Sequence, residues 1–235
     1  MAAAAETDTA VRLPPLEALP ENDLENLRSA ATVVVETSGA LARRDTNVVG
    51  VLLPETGAFH VRRHYPPGDV RDPAAGTQYY YHAHRPGEHG HFHSFFRRTA
   101  LAGVEPITAV GGDSGGGAAL SHLVAIGMDA HGVPIRLFTV NRWVVHDTVY
   151  PAAALIDRLP AFRIAQDAGG HPVTNRWITA MVALFRPQIE QLLLARDRRL
   201  AEALGDTVFE DRTLEVLSSC PVSVVDQLDW LGMLA

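Results

Sequence analysis

The spacing of apolar residues divides the chain into a helical start, a strand-rich middle and a helical end. Leu24, Leu27 and Ala31 begin an apolar stripe at helical spacing, which predicts a helix from about residue 20 to residue 41. Short apolar runs bounded by turn residues predict strands over 48–53, 58–65, 78–84, 91–97, 121–128 and 133–140. Between the second and third of these, Pro66-Pro67-Gly68-Asp69 is predicted to interrupt the chain.

Helical periodicity returns after Tyr150. It predicts a short helix over 152–159 and a long one over about 174–204, which Pro187 is expected to kink or split. Strands in the middle and helices at both ends predict an α+β fold, in which an antiparallel β-sheet built from hairpins is covered on one side by N-terminal and C-terminal helices. Residues 1–20, rich in Ala and Pro, are expected to be a flexible lead-in, and residues 21–235 a single domain.

Composition and charge narrow the class of protein. The chain has 235 residues, of which 47% are hydrophobic and 20% charged, as in ordinary globular proteins. Its net charge of −7 argues against a nucleic-acid partner, and the absence of an apolar run of about 18 residues argues against a membrane partner. The N-terminus lacks the basic and apolar regions of a secretory signal, and Cys220 has no second cysteine to pair with. We therefore expect a cytoplasmic protein.

A cluster of histidines between residues 82 and 93 is the strongest anomaly in the sequence. This window holds five of the chain's 11 histidines: His82, His84, His89, His91 and His93. Side chains two residues apart on a strand share a face, so 82 and 84 form one pair, and 91 and 93 another. A hairpin loop with an even number of residues puts both pairs on the same face, whereas an odd number separates them. The tightest even loop, a two-residue turn at Gly87-Glu88, sets His84 opposite His91 and His82 opposite His93.

Such a hairpin would be a platform for a metal ion. Cβ atoms of directly opposed residues lie about 4.5–5.5 Å apart, and imidazole nitrogens bind ions such as Zn²⁺ at about 2.0–2.1 Å. Because the ligands are imidazoles without thiolates, Fe, Cu or Zn is expected. His122 becomes a further ligand if its strand neighbours the hairpin; otherwise it is a core histidine at the end of the apolar face of Val124 and Ile126. The alternative for the whole hairpin is a polar, solvent-facing side of the sheet.

The predicted site suggests a metalloenzyme acting on a small molecule. Its core would be His84, His91 and His93, supplemented by His82 or His122, and open metal positions would allow catalysis. An oxidoreductase is favoured over a hydrolase because tyrosines flank the cluster and no obvious general-base carboxylate accompanies it. The candidate catalytic residues are Tyr81 as hydrogen-bond donor or radical site, Glu88 as a carboxylate, and Arg85 as a cation.

Two alternatives stay open at this point. One is a non-catalytic metal- or haem-binding module, or a structural zinc site that holds the hairpin. The other is a metal-free binder in which the histidines and Arg85 hold a small anion. The glycine-rich run 111–117 is expected to be a flexible loop.

Several motifs resemble a bacterial protein family that is described only as a domain of unknown function. They are Tyr-Tyr-Tyr-His-Ala-His-Arg at 79–85, Glu-His-Gly-His-Phe-His at 88–93, and Asn-Arg-Trp at 141–143 and again at 175–177. The resemblance covers roughly residues 47–217 and implies one continuous domain, but it implies no activity. Where the family carries Thr-Gly-Glu-Thr-Trp, this chain has Val-His-Asp-Thr-Val at 145–149, so Asp147 supplies a carboxylate that is one methylene shorter.

Overall fold

A computed structural model describes residues 8–54, 59–108, 120–203 and 206–234. Its helices are α1 (Glu21–Ala42), α2 (Arg142–Val145), α3 (Ala152–Arg158), α4 (Pro172–Leu184), α5 (Arg186–Glu202) and α6 (Val224–Trp230). Its strands are β1 (Tyr65–Asp72), β2 (Thr77–His82), β3 (Gly90–Arg97), β4 (Leu120–Met128), β5 (Pro134–Val140) and β6 (Val216–Pro221). The glycine-rich run 111–117 lies outside the described residues.

The strands form one six-stranded sheet in the order β1-β2-β3-β4-β5-β6. Every neighbouring pair is antiparallel, so the sheet is a meander in which each strand pairs with the next. The connection between β5 and β6 contains helices α2 to α5. The predicted α+β class is therefore confirmed.

Two predicted strands before β1 are wrong. Residues 50–52 form a 3₁₀ turn, because the Asn47 carboxamide accepts hydrogen bonds from the backbone N–H groups of Val49 and Gly50 and curls the chain locally. Residues 59–64 are not strand either. Of the two remaining positions of the predicted strand 58–65, residue 58 lies outside the described residues and Tyr65 begins β1.

The predicted chain break at residues 66–69 is also wrong, since these residues lie within β1. Proline is tolerated there because β1 is an edge strand, where a missing N–H leaves no partner unsatisfied. A register irregularity between Tyr65 and Val70 accommodates residues 66–69. Strand β6, which the sequence pattern did not indicate, closes the other edge of the sheet.

The helix predictions hold closely. The apolar stripe of α1, with Leu27, Ala31 and Val34, is buried, and α1 packs on α4. The predicted long C-terminal helix is split into α4 and α5, as Pro187 suggested, because a proline in the first turn of α5 has no N–H to continue the α4 ladder.

The two faces of the sheet have different environments. Alternate residues such as Tyr79, Tyr81 and Phe92 face the helices and belong to the main apolar core. The intervening residues, Tyr80 and His82 among them, face the opposite side. The cluster of histidines is therefore held away from the helical core by the period-two alternation of the strands.

Within the predicted lead-in, residues 8–19 contact the folded elements: the backbone N–H of Thr9 donates to the carbonyl of Ser219, and Arg12 and Gln191 exchange hydrogen bonds. Across the described ranges, none of the helices has the length and apolar character that crossing a bilayer requires.

Candidate metal centre

The hairpin of β2 and β3 brings both histidine pairs to one face, but in a different register from the prediction. His82 lies opposite His91, and Tyr80 lies opposite His93. The predicted pairing, with His84 opposite His91, is wrong by two residues because the chain turns at Pro86-Gly87 and His84 lies beyond the end of β2. A shift of two residues keeps the parity of the loop, so the imidazoles still share a face.

Glu88 orients the imidazole of His91. The Nδ1 of His91 forms a hydrogen bond with the Glu88 carboxylate, and both side chains are almost completely buried. Since a carboxylate only accepts hydrogen bonds, Nδ1 carries the proton and Nε2 of the neutral ring presents a lone pair. That Nε2 lies 2.8 Å from Nε2 of His82. A carboxylate behind a histidine in this way is the usual outer partner of a metal-binding imidazole.

His84 completes a set of three imidazoles. Its ring centroid lies 4.8 Å from that of His82 and 5.1 Å from that of His91. One ligand nitrogen from each of the three lies within 4.8 Å of the others, a spacing that allows them to hold a metal ion. His91 is buried, whereas His82 and His84 are partly exposed, so the set opens toward solvent on their side.

His93 and His122 lie behind this set and contact each other. The Nδ1 of His93 is 2.9 Å from Nε2 of His122, and both rings are buried. A β-bulge brings them together: Ser94 pairs with Val124 but Phe95 pairs with His122, so β4 contains one extra residue there. In a regular strand without this bulge, His122 would share the helix-facing side with Val124, as the sequence pattern suggested.

The far nitrogen of His93 has an unusual environment. Among the described residues, its Nε2 is buried and has no hydrogen-bond partner. The backbone N–H of His122 donates a hydrogen bond to a carboxylate oxygen of Asp147 at 2.7 Å. This bond anchors the deep end of the cluster.

The clustered imidazoles are neutral at physiological pH. Burial is the first cause: it lowers the pKa of His82 to about 2 and that of His122 to about 3. Neighbouring histidines lower both pKa values further, and Arg196 also lowers that of His122. The pKa values of His91 and His93 are likewise held well below the ordinary value, first by burial. Because a metal ion binds the deprotonated ring, these nitrogens do not need to lose a proton to become ligands. Burial also raises the pKa of Asp147, to about 6.

Tyr81 lies on the other side of the sheet from the cluster. Its ring packs against Phe92, and its hydroxyl is 2.6 Å from Nδ1 of His89. His89 is the member of the histidine window that the hairpin does not bring to the shared face. Among the candidate residues from the sequence, the structure thus brings together the five histidines 82, 84, 91, 93 and 122 with Glu88, and separates Tyr81 from them.

Tyr80, rather than Tyr81, flanks the histidines. Its ring centroid lies 5.2 Å from those of His82 and His93, and His64 stacks on it at 3.6 Å. The Nδ1 of His64 contacts a carboxylate oxygen of Asp69 at 2.8 Å. Tyr80 could have been found from its spacing of two residues to His82. His64 directly precedes β1, and only the pairing of β1 with β2 brings it to Tyr80.

Two arginines lie beside the cluster at the Phe138 ring, next to His91. The guanidinium carbons of Arg85 and Arg136 lie 4.9 Å and 5.4 Å from the centroid of the Phe138 ring, which the His91 ring meets edge-on at 5.3 Å. Arg85 also forms an ion pair with Glu215 at 3.3 Å. Arg136 and Phe138 were not singled out by sequence, because only the pairing of β4 with β5 brings them beside the hairpin.

A separate cavity of about 840 Å³ lies on the helical side of the protein, between α1 and α4. Leu27, Phe162 and Ile164 contribute to its apolar lining, and none of the clustered histidines lines it. It is therefore distinct from the candidate metal centre.

Fold and site together define an α+β protein whose sheet carries, on the face away from its main core, a histidine set with the spacing of a metal centre. This chain belongs to the family described as a domain of unknown function (DUF6969), whose model matches residues 28–222. The expected membership of a domain-of-unknown-function family is thus confirmed. No curated protein and no solved structure matches the chain.

Proposed function

We propose that the protein binds one divalent transition-metal ion through His82, His84 and His91, and that it uses this ion in a redox reaction on a small molecule. The observation that carries the proposal is the Glu88–His91 hydrogen bond. It directs the unprotonated Nε2 of His91 toward His82, at a point that the third imidazole also reaches. Three neutral nitrogen ligands suit Fe, Cu or Zn, and the redox proposal favours Fe or Cu.

The protein's own groups support oxidoreductase chemistry over hydrolysis. Three carboxylates near the cluster already have partners: Glu88 accepts from His91, Asp147 accepts from the backbone N–H of His122, and Glu215 forms an ion pair with Arg85. This argues against a general base for an attacking water. Tyr80 lies beside the imidazoles, and burial raises its pKa, so its hydroxyl keeps its proton and can donate a hydrogen bond. Bound Fe or Cu would supply one-electron chemistry.

A closed, structural metal site is the second candidate. The observation in its favour is the buried Nε2 of His93, which has no hydrogen-bond partner among the described residues. Leaving such a nitrogen unpaired costs about 1–3 kcal/mol, and a metal ion would satisfy it. Four imidazoles around one ion would leave no exchangeable position, and the bound metal would then stabilise the hairpin without catalysing a reaction.

We also propose a cytoplasmic location, on the basis of the single cysteine.

Metal analysis of the untagged protein tests the proposal. We expect one equivalent of Fe or Cu per chain in the wild type, and loss of that metal in His91→Ala. One equivalent of Zn would instead support the structural site. The matched control is His89→Ala, which removes an imidazole from the same hairpin but from the other face, and should keep the metal. A wild type without tightly bound metal, or equal loss in both variants, would refute the proposal.

The cobalt-substituted protein separates the two candidates. An open three-histidine site gives a visible absorption spectrum that shifts when azide is added, because azide occupies a free position. A closed site that includes His93 gives an unshifted spectrum, and His93→Ala then changes it.

A further inference from the structure

The cavity of about 840 Å³ between α1 and α4 has the size of a pocket for a small molecule. Its floor is apolar and buried; it includes Leu27 and Ala30 from α1, Ala180 from α4, and Phe162 and Ile164 from the segment between these helices and α3. Among the described residues that line the cavity, none is a tyrosine or a tryptophan. Such a floor suits a hydrocarbon chain better than a planar ring that stacks on aromatic side chains.

Among the described residues, four arginines line the cavity, and two of them have acidic partners. Arg186 donates to both carboxylate oxygens of Asp23, at 3.1 and 3.2 Å, and to Glu190 at 2.7 Å. Asp23 and Glu190 are also the two acids of the described lining, so both already bind a cation. Arg176 forms an exposed ion pair with Glu36 at 3.0 Å.

The other two arginines of the lining, Arg12 and Arg163, have no such partner. Both residues are exposed, and within the described part of the chain neither guanidinium group forms a hydrogen bond or an ion pair. The charge of Arg163 acts on Asp72, but that carboxylate is buried and accepts hydrogen bonds from the backbone N–H groups of Ala75 and Ala165. Two accessible guanidinium groups at this cavity are therefore free to donate to a ligand.

The backbone at each of these two arginines is anchored. The N–H of Arg12 donates to Oε1 of Gln191 at 3.0 Å, and its carbonyl accepts from Nε2 of the same side chain at 2.9 Å. The carbonyl of Arg163 accepts from the hydroxyl of Thr77 in β2. Both arginines thus extend from fixed points of the wall, which reduces the entropy that is lost when a ligand binds.

We infer that this cavity binds an aliphatic carboxylate, a molecule of the fatty-acid type, with its hydrocarbon chain on the apolar floor and its carboxylate at Arg12 and Arg163. Contact with the floor removes the chain from water. A guanidinium group suits the carboxylate, because it can donate two parallel hydrogen bonds to it. None of the clustered histidines lines the cavity, so the inference does not depend on the proposed metal site.

Calorimetric titration of the untagged protein with three probes tests the inference. Decanoate carries both the chain and the charge, 1-decanol carries the chain alone, and acetate carries the charge alone. We expect one decanoate per chain, at least tenfold weaker binding of 1-decanol, and no binding of acetate at the same concentrations. Absence of decanoate binding, or binding of several equivalents with similar affinity, overturns the inference.

Two pairs of variants locate the site. Ala183→Phe fills the cavity from an exposed position on α4 and should abolish decanoate binding, whereas Ala153→Phe, exposed on α3 and outside the lining, should bind as the wild type does. Arg163→Gln should weaken decanoate binding by about tenfold or more, the usual effect of losing a charged hydrogen-bond donor, and should leave 1-decanol binding unchanged. Its control is Arg199→Gln, on the exposed side of α5. If Ala183→Phe does not fold, Arg163→Gln decides the question.

The remaining outcomes also decide. Equal affinity for decanoate and 1-decanol, or an unchanged decanoate affinity in Arg163→Gln, overturns the inference. Sedimentation velocity tests another occupant: a wild-type dimer that Ala183→Phe separates, together with no decanoate binding, overturns the inference and assigns the cavity to an interface between two copies of this chain. The metal content should be the same in all four variants, so either proposal can fail without the other.

Discussion

His93 and His122 contact each other across β3 and β4, with 2.9 Å between Nδ1 of the first and Nε2 of the second. This contact depends on a bulge that adds one residue to β4 at Leu123-Val124 and turns His122 to the face of His93. Bulges of this kind re-aim a side chain without changing the rest of the strand. Here the bulge extends a row of imidazoles from the partly exposed His84 to the buried His122.

Removing the Glu88 carboxylate should weaken metal binding without removing a ligand. We expect Glu88→Ala to lower the affinity for Zn²⁺ or Co²⁺ by about 10- to 100-fold, because His91 would lose the partner that fixes its tautomer and orientation. Glu88→Gln keeps an oxygen acceptor and should lose less. Competition titrations with a chelating dye measure both affinities, and an unchanged affinity in Glu88→Ala would contradict the proposed positioning role.

A methyl group at Gly127 should disturb the same site from the neighbouring strand. A Cβ there would lie 2.6 Å from Oε2 of Glu88 and 2.8 Å from Cγ of Arg136, so the carboxylate must move away from His91. We expect Gly127→Ala to reduce metal affinity while all histidines remain. The matched control is Gly39→Ala in α1, where the added Cβ makes only an ordinary contact at 3.5 Å. The same chelator competition compares the two, and similar affinities would refute this expectation.

The metal-free protein should lose stability as the pH falls below about 6.5. The pKa values of His82 and His122 are about 2 and about 3 in the folded state, whereas an unfolded histidine titrates near 6.5. The unfolded state therefore binds more protons in this range, and the free energy of unfolding decreases as the pH decreases. Going from pH 7 to pH 5 should cost about 2 kcal/mol for each histidine that stays neutral.

Asp147 contributes with the opposite sign. Its pKa is about 6 in the folded state, above the ordinary 3.8, so it stabilises the fold as the pH falls from 6 toward 4. This gain offsets part of the stability that one neutral histidine loses over the same range. Urea unfolding of chelator-treated protein at both pH values measures the balance. His82→Gln should reduce the pH dependence, and the exposed His131→Gln should not. A pH-independent unfolding free energy would contradict buried neutral histidines.

Asn175 should matter for stability and not for metal binding. It is fully buried in α4, accepts a hydrogen bond from the Tyr79 hydroxyl at 2.6 Å, and donates to the carbonyls of Ala165 and Gly169. Asn175→Ala leaves these groups unpaired and should lower the free energy of unfolding by about 3 kcal/mol. Denaturant unfolding checks the loss, while metal content should stay at the wild-type value; a loss of metal would link the helical side to the site.

Local pattern was sufficient for most elements and for the centre of the site. The stripe of Leu27, Ala31 and Val34 predicted α1, and Pro187 predicted the split between α4 and α5, because both effects act within one or two helical turns. Strand β1 was missed because an edge strand tolerates prolines that would break a central one, and only the tertiary position shows which strand is at the edge.

The chain alone pairs 82 with 84 and 91 with 93, since alternation on a strand has a period of two. Whether both pairs share one face depended on the parity of the loop, which the register of β2 and β3 decided. Strand order, register and one bulge brought His122 and Arg136 to the cluster. That Tyr80 faces the cluster and Tyr81 does not follows from alternation along β2. Such pairings link residues far apart in the chain. Their energies come from packing and hydrogen bonds between strands, which no local spacing of side chains encodes.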